Sequence, residues 1–120
     1  MAYIELTTDN IYEVIENNEI VIIDFWAPWC GPCISFSPIF EKVATQHSNV
    51  TFAKVNTEEQ EEIAAHLQIF SIPNIMVFKE KALIYNQAGA KNEDALNALV
   101  QEMRELDMDE FRAKIEAERS

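Results

Sequence analysis

The order of apolar runs predicts an α/β sandwich built around a mixed β-sheet. Strand-type and helix-type segments alternate along most of the chain, which closes with two strand-type runs and a helix. Two observations carry this reading. Ile20 to Trp26 (Ile-Val-Ile-Ile-Asp-Phe-Trp) is apolar on both faces, as a central strand covered on both sides is. The segments around it switch to helical spacing and begin with cap-type residues. At 120 residues, the chain holds one core-bearing domain and is too short for two full-sized ones.

Tyr3 to Leu6 reads as a short edge strand. Thr7, Thr8 and Asp9 are cap-type residues ahead of Ile11, Val14 and Ile15 at helical spacing, and Asn17 and Asn18 end that helix. The buried run Ile20 to Trp26 contains one misplaced residue, Asp24, which needs a role to justify its position. Phe36, Ile39, Phe40, Val43 and Ala44 then form the apolar stripe of an amphipathic helix, with Pro38 expected to kink it. Val50 to Asn56 is a second β-rich run. Thr57-Glu58-Glu59-Gln60 has the capping-box pattern and predicts a helix through about Leu67. Ile75 to Lys79 and Ala82 to Gln87 predict a hairpin across Glu80-Lys81. Asn92 can cap a helix with its stripe at Leu96, Leu99, Val100 and Met103. Asp107 and Glu110 form a second capping-box pattern, which makes the tail a separate short helix.

Composition narrows the function. Nine Lys and Arg stand against 21 Asp and Glu, a formal net charge of -12. Such a chain repels phosphate backbones and anionic membrane surfaces, so neither nucleic acid nor a membrane is an expected partner. The uncharged apolar stretch Ile20 to Ile23 is far short of a membrane span. The first 18 residues carry Glu5, Asp9, Glu13 and Glu16 and lack the basic and apolar regions of a secretion signal, so a cytoplasmic location is expected for the chain as it stands.

There are two cysteines, Cys30 and Cys33, too few for the disulfide framework of a small secreted protein. A bridge between them closes a very short loop, worth about 2 kcal/mol at most in chain entropy, so a structural staple explains the pair poorly. They sit where a buried strand hands over to a helix. There, unpaired backbone N–H groups and the helix dipole favour a thiolate, so the Cys30 pKa should lie below the free-thiol value of about 8.5. The i, i+3 spacing brings Cys33 within disulfide reach, and Pro32 stiffens the first turn where its missing N–H costs nothing. This arrangement suits thiol–disulfide exchange, with Cys30 at the helix start as nucleophile and Cys33, one turn inside, as the resolving thiol. Two other readings stay open: an inert pair, or half of a zinc site, for which only the single His47 and His66 are at hand. No metal is expected.

The stretch Phe25-Trp26-Ala27-Pro28-Trp29-Cys30-Gly31-Pro32-Cys33 resembles the active site of the thioredoxin family. The likeness extends to Asp24, Pro38, Ala53-Lys54-Val55-Asn56, Ser71-Ile72-Pro73 and Gly89, over about residues 3 to 102. It implies a thioredoxin-like three-layer α/β/α sandwich with a central mixed β-sheet at 1–102. Residues 103–120 form a C-terminal helical extension with Leu106, Met108, Phe111 and Ile115 as its apolar positions. The implied activity is reduction of protein disulfides through a reversible Cys30–Cys33 dithiol/disulfide, contributing to cell redox homeostasis. Gly31-Pro32 between the cysteines resembles the reducing members rather than the isomerases and oxidases. The family binds no cofactor for this; electrons would come from NADPH through a flavin-containing thioredoxin reductase. The implied partners are that reductase and oxidised protein substrates, and the implied state is a monomer. A contrasting reading is a binding module that uses the fold as a partner subunit and the extension as its contact.

The resemblance also assigns residues. Asp24 and Lys54 would form a buried acid–amine pair beneath Cys33, with Asp24 accepting the Cys33 proton directly or through water; an ordinary structural ion pair is the alternative. The Ile72–Pro73 bond would be cis and face the cysteines, although sequence alone favours trans. Substrate chains would pair with the Ile72 backbone as an added strand. Trp29, Gly31, Pro32, Ile72, Pro73, Gly89 and Ala90 would form the substrate groove, while Trp26 is the better core tryptophan. Three departures stand out. Ile34 occupies a position that is often Lys or Arg, and no basic residue precedes Lys42. Asn74 replaces a common Thr. Lys79-Glu80-Lys81-Ala82 lies where the family usually has Asn-Gly, which predicts a longer or less regular turn. Glu58, Glu59, Glu61 and Glu62 read most simply as a solvated helix face, with a specific acidic docking surface as the lesser reading.

Overall fold

In the computed structural model, which describes residues 2–119, the elements run β1 (Tyr3–Glu5), α1 (Ile11–Asn17), β2 (Ile20–Trp26), α2 (Gly31–Gln46), β3 (Thr51–Asn56), α3 (Glu61–His66), β4 (Asn74–Lys79), β5 (Ala82–Ala88), α4 (Glu93–Glu105) and α5 (Met108–Arg119). Met1 and Ser120, the outer bounds of the two sequence units, lie outside the described residues. The sheet order is β1-β3-β2-β4-β5. The β1–β3 and β3–β2 pairs are parallel, and the β2–β4 and β4–β5 pairs antiparallel. β2 is thus the central strand, which explains its apolar character on both faces. Ile20 and Ile22 pack with Phe52, Ile75 and Val77 against Phe36, Phe40 and Val43 of α2 and Leu96, Leu99 and Val100 of α4. Val21, Ile23 and Phe25 point the other way, toward Ile11 and Val14 of α1 and Ile63 of α3. Alternation along one strand therefore builds both cores of the α/β/α sandwich.

Local chemistry changes the cap of α1 and moves the start of α3. α1 begins at Ile11 with no side-chain cap, because Asn10 reaches back instead: its Oδ1 accepts from Thr7 N (2.8 Å) and its Nδ2 donates to the Glu5 carbonyl (3.0 Å). α3 begins at Glu61, not at Thr57. The Thr57 hydroxyl donates to the Trp26 carbonyl (3.1 Å), and Asn56 Oδ1 accepts from the amides of Glu58 and Glu59, so the expected capping box is replaced by a turn. The caps at Asn92 and Asp107 do form: Asn92 Oδ1 accepts from Ala95 N (2.8 Å), and Asp107 Oδ1 from Asp109 N and Glu110 N. Pro38 lies inside α2.

The β4–β5 turn is not lengthened. Glu80 and Lys81 alone make it, at φ 49° and 71°, the left-handed values usually supplied by Asn and Gly. The irregularity sits in the ladder instead, as a register shift between Val77 and Phe78. The Glu80 amide donates to the Glu19 carbonyl (2.8 Å), and Arg112 of α5 pairs with the Glu80 carboxylate (2.9 Å), which ties down the turn.

Lys79 closes the fold in a way the sequence did not signal. It is buried, and its ammonium donates to the carbonyls of Met103 (2.9 Å), Arg104 (3.0 Å) and Leu106 (2.8 Å). These carbonyls lie at the C-terminal end of α4, where they lack intrahelical partners and the dipole favours a cation. α4 itself runs past residue 102 to Glu105, and the Lys79 contacts hold the bend into α5. Lys79→Met should therefore destabilise the protein by about 3 kcal/mol, since three carbonyls lose a charged donor at once. Urea unfolding measures the loss, and amide exchange should show α5 opening first; a loss below about 0.5 kcal/mol would show the contacts to be incidental.

Candidate active site

The β2 strand ends at Trp26, and four residues later the chain enters α2, whose N-cap is Cys30. Cys30 has extended backbone angles (φ -88°, ψ 110°), and its Sγ accepts from Cys33 N at 3.3 Å. Sulfur takes the place that a Ser or Asp oxygen usually fills at a helix start. Gly31 and Pro32 form the first turn, where Pro32 withholds no needed donor. Cys30 and Cys33 form a disulfide with Cα atoms 5.2 Å apart. When it opens, the Cys33 amide and the positive end of α2 remain aimed at the Cys30 sulfur, so the geometry favours a Cys30 thiolate without any side-chain cation.

Cys30 is less open than its position implies. It is 5% exposed against 1% for Cys33, because Trp26, Ala27 and Ile72 pack around the pair. Its Sγ lies 3.9 Å from the Ile72 carbonyl oxygen; a disulfide sulfur has no proton, so this is a contact and not a hydrogen bond. The Ile72–Pro73 bond is cis, Pro73 is buried, and the Pro73 carbonyl accepts from Gly89 N at 2.8 Å. Gly89 has φ 109°, a backbone state that only glycine adopts readily, and Ala90 beside it is exposed. The structure thus joins Ile72 to Cys30 and Gly89 to Pro73. Trp29 is 71% exposed and Ile34 is 53% exposed, flanking the cysteines along the chain. Phe70, 88% exposed and two residues before Ile72, went unnoticed in the sequence. Nothing there separates it from Ile69, which packs into the core, because the intervening loop has no periodicity.

Asp24 and Lys54 are register partners on adjacent parallel strands, and both side chains face the layer of α2 and α4. The expected acid–amine pair does not form there. The Lys54 ammonium donates instead to Ser37 Oγ and to Glu41 Oε2 (2.9 Å), and it lies 4.6 Å above the Tyr3 ring. Ser37 Oγ also donates to Glu41 Oε2 (2.9 Å). Hydrogen bonding from Lys54 holds the Glu41 carboxyl below its usual range, against partial burial and with help from Ser37. Ser37 and Glu41 are a helical i, i+4 pair one turn apart on α2, a spacing visible in the sequence but not assigned there. Asp24 is fully buried, and both carboxylate oxygens lack a hydrogen-bond partner among the described residues. Its pKa is raised from 3.8 to about 7, chiefly by burial; the Lys54 charge works against this and the Glu41 charge adds to it.

Among the described residues, no three His, Cys, Asp or Glu side chains gather as metal ligands, and no helix is long and apolar enough to cross a membrane. A cavity of about 590 Å³ lies in the other helix layer, lined by Ile11, Tyr12, Ile63 and Leu67, away from the cysteines.

The sequence profile of the family described as Thioredoxin matches residues 2–102. A relative from Streptomyces coelicolor is 44% identical over 112 residues, covering 93% of this chain and 84% of its own length. The thioredoxin of Coprinus comatus is 38% identical over 103 residues, covering 84% of this chain and 96% of its own. Among solved structures, a Plasmodium falciparum thioredoxin aligns with a TM-score of 0.77 at 32% identity, over 82% of this chain and 97% of that one.

The buried carboxyl gives a pH-dependent stability. Because its pKa is raised on folding, the native state holds the Asp24 proton more tightly than the unfolded chain does. Its contribution is present below about pH 4 and is lost as pH rises through about 7. At about 1.36 kcal/mol per pKa unit, the full change is about 4 kcal/mol. Asp24→Asn should match the parent at pH 4 and exceed it by up to about 4 kcal/mol at pH 8. Urea unfolding at the two pH values checks this, and an equal difference at both would refute it.

Proposed function

The chain belongs to the thioredoxin family and is a thiol–disulfide oxidoreductase that reduces protein disulfides, and we propose how its residues divide that reaction. Cys30, as thiolate, attacks one sulfur of a target disulfide. A Cys30–target S–S bond forms, the target S–S bond breaks, and its other sulfur leaves as a thiolate. Cys33 then gives its proton to Asp24 and attacks the Cys30 sulfur. The Cys30–Cys33 disulfide closes, the Cys30–target S–S bond breaks, and the target leaves with both sulfurs reduced by two electrons as thiolates, which take their protons from solvent, while Asp24 returns the Cys33 proton to water. The observation that carries the assignment is the Cys33 N–H donated to Cys30 Sγ at the start of α2, which stabilises negative charge on Cys30 and not on Cys33. Asp24 suits the second step because burial puts its pKa at about 7, where it can both accept and release a proton near neutrality.

In this reading the target chain lies across Trp29, Gly31, Pro32, Ile72, Pro73, Gly89 and Ala90 and pairs with the Ile72 backbone. Support comes from the Ile72 carbonyl, 3.9 Å from Cys30 Sγ, and from the Gly89–Pro73 hydrogen bond, which ties Gly89 to the residue after Ile72. The redox chemistry resides in the cysteines, with no bound group. Electrons are drawn from NADPH through a flavin-containing thioredoxin reductase, and the protein acts as a cytoplasmic monomer whose 103–120 segment is an addition to the redox unit.

Two experiments test the division. Cys33→Ser should accumulate mixed disulfides with target proteins, while Cys30→Ser should accumulate none and lose insulin reduction; trapping by Cys30→Ser alone would reverse the roles. Asp24→Asn should slow resolution by at least about tenfold while leaving attack nearly unchanged, as expected for a lost proton acceptor; equal losses in both steps of a stopped-flow trace would remove Asp24 from the scheme. The rim also sets preference. With Ile34 and Phe70 exposed and a net charge of -12, apolar or basic target segments are favoured. Ile34→Lys should lower the Cys30 pKa and raise turnover of acidic disulfide substrates by about two- to fivefold, a modest gain because an exposed charge is screened. A thiol titration showing an unchanged Cys30 pKa would count against it.

A further inference from the structure

Lys54 stands beside Asp24 in the sheet, on the same face and in register, with Glu5 in register on its other side. The ammonium nevertheless reaches over to α2, where Ser37 Oγ and Glu41 Oε2 take its hydrogen bonds. Ser37 also donates to the same Glu41 oxygen, so the acceptor is fixed from two sides. The consequence is visible on Asp24, whose two oxygens are left without a hydrogen bond.

We propose that Glu41, set by Ser37, is a positioning residue for the redox reaction: it draws the Lys54 ammonium away from Asp24, so that the buried carboxyl stays unpaired and free to take up a proton. This rests on the reading of Asp24 as proton acceptor for Cys33. The charged and titratable groups on this side of the sheet are few. β3 supplies Lys54, β1 supplies Tyr3, whose ring lies 4.6 Å from the Lys54 ammonium, and Glu5 in register with Lys54, and α2 supplies Glu41 and, in the reduced protein, the Cys33 thiol; β4 places Ile75 next to Asp24 and carries Lys79 at its far end against the α4 carbonyls, and α4 presents Leu96, Leu99 and Val100. With Glu41 neutralised, its repulsion on Asp24 disappears and Lys54 is free to turn toward Asp24, the buried carboxylate beside it on β2; Glu5, in register on β1, is exposed and solvated. Both changes favour the ionised form of Asp24. An ionised, paired Asp24 is a weaker proton acceptor, so resolution suffers and attack does not.

The test is the titration of the Asp24 carboxyl carbon, followed by NMR in the oxidised full-length protein. Glu41→Gln should move the midpoint down by about one pH unit. Glu41→Asp, which keeps the charge, should restore at least half of that change. Lys54→Met should move the midpoint up, since it removes the cation from either position. Glu41 lies partly in solvent, so its replacement spares the core. An Asp24 midpoint that stays in place in Glu41→Gln overturns the proposal. The pH profile of resolution, measured on the same proteins, keeps the two ideas apart. If the NMR midpoint moves as expected but neither Glu41→Gln nor Asp24→Asn changes resolution, Glu41 is upheld as the residue that positions Lys54 and Asp24 fails as the proton acceptor. If Asp24→Asn slows resolution while the midpoint ignores Glu41, the positioning role alone is lost.

Discussion

A strand buried on both faces hands its chain, after four residues, to the N-terminus of a helix, and the rest of the site depends on that junction. β2 is immobilised by parallel pairing with β3 and antiparallel pairing with β4, with a core on either side. The first amides of α2 therefore have a fixed direction, and the Cys30 sulfur is placed where a capping oxygen would otherwise sit. The bias toward negative charge at the Cys30 sulfur is thus a property of backbone geometry. That is why the chain can leave a cation out of this region and present Ile34 in its place.

Keeping Asp24 inside the same strand has a cost. A buried carboxyl without hydrogen bonds is among the less favourable things a core can contain, and here it is retained in the best-packed strand of the sheet. The arrangement around it limits the damage without abolishing it: Lys54 is close enough to lower the carboxyl pKa, yet its hydrogen bonds go to Glu41 and Ser37. A full salt bridge would relieve the strand and leave a permanently ionised group. The compromise leaves the Asp24 pKa raised to about 7.

The far end of the sheet solves a different problem with similar means. Lys79, the last residue of β4, directs its whole ammonium at the carbonyls ending α4, so sheet, helix and the turn toward α5 are joined by one buried cation. Arg112 on α5 reaches back to Glu80 in the tight turn. The hairpin loop, which lacks glycine, is accordingly held by its surroundings more than by its own residues.

Much of this was legible in the residues. The two-faced apolar run of β2, the stripes of α2 and α4, the caps at Asn92 and Asp107 and the cysteine pair at a strand–helix junction are local patterns, and local patterns survive folding because each rests on period or on near-neighbour hydrogen bonds. The thioredoxin resemblance rested on the same string of residues. What the chain alone could not decide is which of several available partners each polar side chain takes. Asn10 turned backward, the Thr57 hydroxyl went to Trp26, and the α1 and α3 caps changed as a result. Lys54 has carboxylates in register on both neighbouring strands, Asp24 and Glu5, and takes instead Glu41, offered from α2. Phe70 and Ile69 are adjacent apolar residues, and one is left in solvent while the other is packed. Each choice depends on distances between segments far apart in the chain, and only the assembled layers, with β2 between two cores, set those distances.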